Sequence, residues 1–183
     1  MKNNKGNLLW LDMEMTGLEP TLDRVLEIAV VVTDWDFNEI TMYETGVKQK
    51  LDEITPLLDM NPLYDKLTAN KKSLLKLAAH SPSEKTVDTA LARLVNKYCD
   101  TNKPVLLAGN SIHQDRRFVR QYYPKFEALL HYRMLDVSAW KVVMEGKFGK
   151  RYTKQEVHRA LNDVRESIAE LKYYLQVLDK SGR

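Results

Sequence analysis

The order of apolar and polar positions divides the chain into a strand-rich first part and a remainder that alternates helices with short strands. Leu8-Leu9-Trp10-Leu11-Asp12-Met13-Glu14 carries apolar side chains at odd and even positions alike, the pattern of a strand covered on both faces. Thr16-Gly17-Leu18-Glu19-Pro20 has turn chemistry. Residues 24–35, rich in Val and Ile, predict a second strand, 36–39 a hairpin loop and 40–47 a third strand, together an antiparallel meander. Residues 71–80 predict a helix with Leu74, Leu75 and Leu77 on one side. Ser81-Pro82-Ser83-Glu84 has the form of a capping box with proline at the first helical position. The helix that follows has Val87, Leu91, Leu94, Val95 and Tyr98 as its apolar stripe. A short buried strand at 104–108 leads into Gly109-Asn110-Ser111, a turn suited to capping a helix that begins near Ile112. Tyr132-Arg133-Met134-Leu135 predicts the last strand, 137–145 a helix, and 147–152 a basic loop. Val164, Ile168, Leu171, Leu175 and Leu178 form the stripe of a final helix. The expected architecture is α/β: one mixed sheet flanked by α-helices, in a single domain spanning 1–183 with its core at about 8–178.

Composition narrows the class. A chain of 183 residues, 44% of them hydrophobic, supports one real core and is too short for two ordinary domains. A net charge of +3 and abundant apolar residues exclude a disordered chain. No apolar stretch approaches the ~18 residues of a membrane span, and the N-terminal stretch lacks an uninterrupted apolar export core. The one cysteine, Cys99, excludes an internal disulfide framework and a cysteine-based zinc cluster. A cytoplasmic protein without membrane partners is expected. The charge is uneven: residues 1–100 hold 12 basic and 16 acidic side chains, residues 101–183 hold 16 and 9. That asymmetry fits either a polyanion-binding face or a solvated surface.

The candidate chemistry lies in dispersed carboxylates. Asp12 and Glu14, two apart on a strand, point the same way, roughly 6.6 Å apart at the backbone from a ~3.3 Å rise per residue. Inward-reaching carboxylates at that spacing suit divalent ions held by oxygen donors. A solvent-facing strand end is the alternative, but two like charges in an apolar strand are costly without a cation. Asp115 falls in the first turn of the helix after the fourth strand. It can face Asp12 if the first and fourth strands are neighbours, or it can serve the helix dipole or a surface ion pair. His158 and Asp163, five apart, share no face of an unbroken helix. A break near residues 160–162 would let Asp163 open the last helix, as a metal ligand or a first-turn acid, with His158 on the loop before it. A histidine there is either a general base or a surface side chain. There is no HExxH, no glycine-rich phosphate loop and no Gly-x-Ser-x-Gly turn.

Taken in order, Asp12-x-Glu14-x-Thr16-Gly17-Leu18, the segment ending at Asp115, and His158 followed by Asp163 resemble the DEDDh exonucleases of the ribonuclease-H-like fold. Three longer stretches, residues 10–18, 109–118 and 131–138, resemble the oligoribonuclease branch of that family, 3′-to-5′ exoribonucleases of very short RNA. The resemblance implies a five-stranded mixed sheet. It implies two Mg²⁺ or Mn²⁺ ions held by Asp12, Glu14, Asp115 and Asp163, with His158 as general base. It implies that Leu18 wedges against terminal bases and that Ser111 contacts phosphate. It also implies a homodimer in which Tyr132, Arg133 and Ser138 reach the partner's site, the tyrosine stacking on a base and the polar groups capping the 5′ phosphate of short single-stranded RNA. One region departs from the family: where relatives carry a base-bracketing Trp, this chain has Leu58-Asp59-Met60-Asn61-Pro62-Leu63-Tyr64, so Met60 or Tyr64 stands in its place. The rival activities are a DNA-proofreading or structured-RNA exonuclease and a nucleic-acid-binding module without catalysis.

Overall fold

The computed structural model describes residues 8–153 and 159–181. Five strands form one sheet: β1 (Leu8–Met15), β2 (Val25–Thr33), β3 (Glu39–Gly46), β4 (Val105–Gly109) and β5 (Leu130–Asp136), in the order β3-β2-β1-β4-β5. The β1–β2 and β2–β3 pairs are antiparallel, and β1–β4 and β4–β5 are parallel, so the sheet is mixed as expected. Eight helices surround it among the described residues: α1 (Leu51–Met60), α2 (Pro62–Lys66), α3 (Thr68–His80), α4 (Glu84–Tyr98), α5 (Ile112–Tyr122), α6 (Pro124–Glu127), α7 (Val137–Phe148) and α8 (Ala160–Ser181).

The side-chain alternation of β1 feeds two cores. Leu9, Leu11 and Met13 pack with Val87, Leu91 and Val95 of α4 and with Ile112, Phe118 and Val119 of α5. Leu8 and Trp10 point to the other face, among Ala29 and Val31 of β2 and Val164, Ile168, Leu171 and Tyr174 of α8. Because period-two alternation continues along the strand, Asp12 and Glu14 extend the Leu8–Trp10 row. Apolar side chains become carboxylates on the face that α8 covers.

Local chemistry accounts for most boundaries, with three corrections. Ser83, not Ser81, is the N-cap of α4: its side chain accepts from the Thr86 N–H at 3.3 Å, and Pro82 lies before the cap. Ser81 instead ends α3, its hydroxyl donating to the Leu77 carbonyl at 2.7 Å. Ser111 sits at the start of α5 but makes no side-chain cap; its backbone is left-handed, with φ 48°. The third is an addition: α1 and α2 are helices that the apolar pattern did not predict. Gly109 is needed where β4 turns into α5, because a Cβ there would meet the Leu11 carbonyl oxygen at 2.7 Å.

Candidate metal centre and nucleic-acid site

The parity of β1 brings Asp12 and Glu14 onto one face, and the first turn of α8 brings Asp163 to meet them. One carboxylate oxygen from each lies within 4.8 Å of the others, all three residues half-buried. Helix α8 begins at Ala160, so Asp163 occupies the first helical turn, its N–H donating to the Arg159 carbonyl at 3.0 Å. His158 lies outside the described residues.

Asp115 arrives from the opposite edge of β1. The parallel β1–β4 pairing covers only Leu8, Leu9 and Trp10, because β4 ends at Gly109 while β1 runs on to Met15. There the backbone N–H of Met13 donates to the Asp115 carboxylate. Asp115 is 5% exposed, and burial raises its carboxyl above the usual range, with the Asp136 and Glu14 charges adding to the rise. Glu14 is pushed up to about 7, first by burial, then by the charges of Asp163 and Glu27, with Arg159 acting in the opposite sense. Carboxylates gathered where their own charge is disfavoured, all offering hard oxygen donors, suit a divalent cation.

Glu27, which the strand pattern did not single out, stands opposite Glu14 in the β1–β2 register and is 1% exposed. The guanidinium of Arg159 grips it at 3.0 Å through Nε and 2.6 Å through Nη2. A lone acid in a run of Val, Leu and Ile was the available signal; its partner, 132 residues away, was not legible.

The loop 16–24, which follows β1, carries Leu18. Thr16 and Asp23 tie its ends: the Thr16 hydroxyl donates to Asp23 at 2.8 Å and accepts the Arg24 N–H at 3.0 Å. Asp23 also takes the Glu19 N–H at 2.9 Å and fills the space where a Gly17 side chain would go. Two residues of α5 hold the Leu18 carbonyl, Arg117 through Nη1 at 2.9 Å and Gln114 through its amide. Arg117 also pairs with Glu19 at 2.7 Å. Leu18 is 66% exposed and Met60 80%, and both line one groove of about 370 Å³ with Leu22, Leu57 and Pro62. The Asn61 amide donates to the Thr16 carbonyl at 2.9 Å, which sets Met60 beside this loop. Tyr64 is 2% exposed, packed with Leu26, Ile54 and Leu74, and its hydroxyl donates to the Met15 carbonyl at 2.8 Å. Of the two candidates for the missing Trp, Met60 alone faces the groove.

Ser111 and Ser138 meet within one chain. The Ser111 N–H donates to Asp136 at 3.0 Å and to the Ser138 hydroxyl at 2.9 Å, and the two hydroxyls lie 3.0 Å apart. Asn110 continues the network to Ser167 at 2.8 Å and Glu170 at 3.1 Å on α8. Tyr132 and Arg133 stand away from this centre on β5, an edge strand. Tyr132 is 69% exposed, stacked on His131 with ring centroids 4.5 Å apart and with the Arg133 guanidinium 5.3 Å over its ring. The buried Arg116 of α5 holds that stretch of β5 through the His131 and Tyr132 carbonyls, at 2.5 and 3.2 Å. Four successive residues, Gln114 to Arg117, thus reach the Leu18 loop, the carboxylate centre and the exposed edge strand.

The RNase_T family, described as an exonuclease, matches residues 9–171. An oligoribonuclease from Ralstonia nicotianae is 41% identical over 174 residues, covering 93% of this chain and 78% of that protein. The oligoribonuclease of Escherichia coli K12 is 37% identical over 183 residues, covering 95% and 96%. Among solved structures, E. coli exonuclease I in complex with a dT13 oligonucleotide superposes with a TM-score of 0.64 at 16% identity, over 96% of this chain and 43% of that one. A moderately thermophilic exonuclease I from Methylocaldum szegediense gives 0.55 at 19% identity, over 88% and 38%. The chain spans about two fifths of the length of these exonucleases, which share its fold.

Proposed function

The chain belongs to the oligoribonuclease branch of the exonuclease family, and from that premise we propose that it hydrolyses very short single-stranded RNA from the 3′ end, dinucleotides foremost, to nucleoside 5′-monophosphates. The observation that carries the reading is the convergence of the Asp12, Glu14 and Asp163 oxygens within 4.8 Å, with buried Asp115 bonded to the backbone between the first two.

In this reading those four carboxylates hold two divalent ions, Mg²⁺ or Mn²⁺, which when bound acidify water and take up charge on the leaving 3′ oxygen. His158, one peptide bond before Arg159, accepts the water's proton near neutral pH. Leu18 and Met60 flank the terminal base, and the hydrogen bonds from Gln114 and Arg117 hold Leu18 against it. The Ser111 hydroxyl, set at the surface by its left-handed backbone, contacts phosphate.

A homodimer completes the proposal. Tyr132 on the edge strand β5 stacks on a base in the partner's site. Arg133 caps the 5′ phosphate there, so chains much longer than a dinucleotide collide with the cap, whereas Ser138, its hydroxyl 3.0 Å from that of Ser111, stands with Ser111 in its own chain. Support comes from the exposure of Tyr132 on β5 and of Val142 and Val143 on α7. A cytoplasmic location is part of the same reading and rests on the chain's single cysteine, Cys99, which leaves no internal disulfide to form.

The test is product analysis of end-labelled two-nucleotide RNA, two-nucleotide DNA and twenty-nucleotide RNA, each with Mg²⁺ and with excess chelator. Mononucleotides from the RNA dinucleotide, lost in chelator, are expected. Faster cleavage of the long RNA, or of DNA, overturns the short-RNA reading.

A further inference from the structure

Glu27 is a charged residue inside an all-buried strand, and the mechanism above gives it no task. Its surroundings are specific. Arg159 meets both of its carboxylate oxygens, a planar two-pronged fit that only arginine makes. Its Oε2 also accepts the backbone N–H of Ala160, the first residue of α8, at 3.3 Å. A helix start has backbone N–H groups without intrahelical partners, and here a carboxylate from a neighbouring strand supplies one.

The position of this contact matters. Glu27 is paired across the sheet with Glu14. Arg159 is the residue whose carbonyl accepts the Asp163 N–H, the first turn of α8. One buried carboxylate therefore ties the strand pair bearing Asp12 and Glu14 to the turn bearing Asp163. Pulling Arg159 or Ala160 off Glu27 frees the helix start, and the three oxygens no longer need to converge.

We propose that Glu27 and Arg159 are positioning residues: their ion pair sets the start of α8 against β1 and β2, so that Asp163 meets Asp12 and Glu14 at metal-binding distance. The inference rests on the nuclease reading for its consequence in turnover, but not for its consequence in metal affinity.

The experiment measures Mn²⁺ affinity of the full chain by titration calorimetry, with melting temperature in chelator and kcat and KM on an RNA dinucleotide. The variants are Glu27→Gln, Arg159→Gln, Arg159→Lys and the double Glu27→Gln/Arg159→Gln. Each glutamine variant should weaken Mn²⁺ binding and lower kcat by about tenfold, the usual scale for a residue that orients a ligand, with KM within about threefold. The double variant should be no worse than Arg159→Gln, because the pair acts as one unit. Arg159→Lys, which keeps the charge and loses the fork, should recover part of the loss. Wild-type Mn²⁺ affinity in the glutamine variants, with only the melting temperature lowered, overturns the proposal. So do losses that multiply in the double variant. If Glu27→Gln does not fold, Arg159→Lys decides alone: Mn²⁺ affinity equal to wild type overturns the proposal. A wild-type chain that binds Mn²⁺ without cleaving the dinucleotide would sink the proposed function and leave this inference standing.

Discussion

The backbone N–H of Met13 donates to the carboxylate of Asp115. Met13 lies between Asp12 and Glu14, so this bond seats a fourth acid behind the other two on the strand. It is available because β4 stops pairing with β1 at Trp10 and leaves the β1 backbone beyond it unpaired on that side. The end of β4 short of the end of β1 thus creates the place that Asp115 fills.

Asp115→Asn separates the structural and chemical parts of that seat. The amide keeps the oxygen that accepts from Met13 and removes a buried charge that the fold disfavours. In chelator at pH 8 the variant should melt about 3 °C or more above wild type, since ~1 kcal/mol corresponds to about 2–4 °C for a chain of this size. Mg²⁺-dependent hydrolysis of an RNA dinucleotide should fall at least about 100-fold. Calorimetry and product analysis check the two halves, and full activity would remove Asp115 from the metal centre.

The raised carboxyls also set a pH dependence. Burial and the neighbouring acids push the Glu14 carboxyl from its ordinary 4.5 up to about 7, so between these pH values the folded chain holds more protons than the unfolded one. Stability of the metal-free protein therefore falls as pH rises through that window, and the raised Asp115 carboxyl extends the fall upward. A divalent ion replaces those protons, so Mn²⁺ affinity should increase over the same range. Melting curves from pH 5 to 9, with chelator and with Mn²⁺, should diverge as pH rises. Parallel curves would show that the acids do not gather charge as described.

Met60 and Tyr64 make a paired test of the base groove. Met60→Ala should raise KM for the dinucleotide about fivefold or more, and Met60→Trp should lower it, because stacking on a base contributes ~1–3 kcal/mol and a broad ring stacks better than a thioether. Tyr64→Phe should leave KM within about twofold and cost ~1 kcal/mol of stability through the lost bond to the Met15 carbonyl. Steady-state kinetics with urea unfolding distinguishes the two residues; a Tyr64→Phe effect on KM larger than that of Met60→Ala reverses the assignment.

The contrast between these residues shows how far the sequence alone reaches. Asp12 and Glu14 were legible because strand parity is a local rule. A helix start near residues 160–162 was legible because His158 and Asp163 share no face of one unbroken helix. Choosing Met60 over Tyr64 required knowing that Tyr64 packs among Leu26, Ile54 and Leu74, a tertiary fact. The same holds for the α4 cap: Ser81 and Ser83 fit the local pattern almost equally, and the claim of α3 on Ser81 decides between them. Glu27 was the least legible, because an acid in a strand means nothing until Arg159 is seen against it.

The proposed dimer yields the most demanding prediction, because it divides one active site between two chains. A Tyr132→Ala chain keeps its carboxylates but cannot lend a stacking ring to its partner. An Asp12→Asn chain cannot bind metal properly but still carries Tyr132. Each homodimer should be impaired on the dinucleotide, the first mainly in KM and the second in kcat. Mixed after mild dissociation and reassociation, they should form heterodimers with one site that has both an intact carboxylate centre and an intact tyrosine. Activity at low substrate should then exceed the sum of the two separate preparations, and light scattering should report particles of twice 21.3 kDa. Additive activity from a protein that scatters as a dimer would mean that Tyr132 serves its own chain's site. Additive activity from a monomer would remove the dimer and leave the exposure of the β5 edge to be explained by the RNA alone.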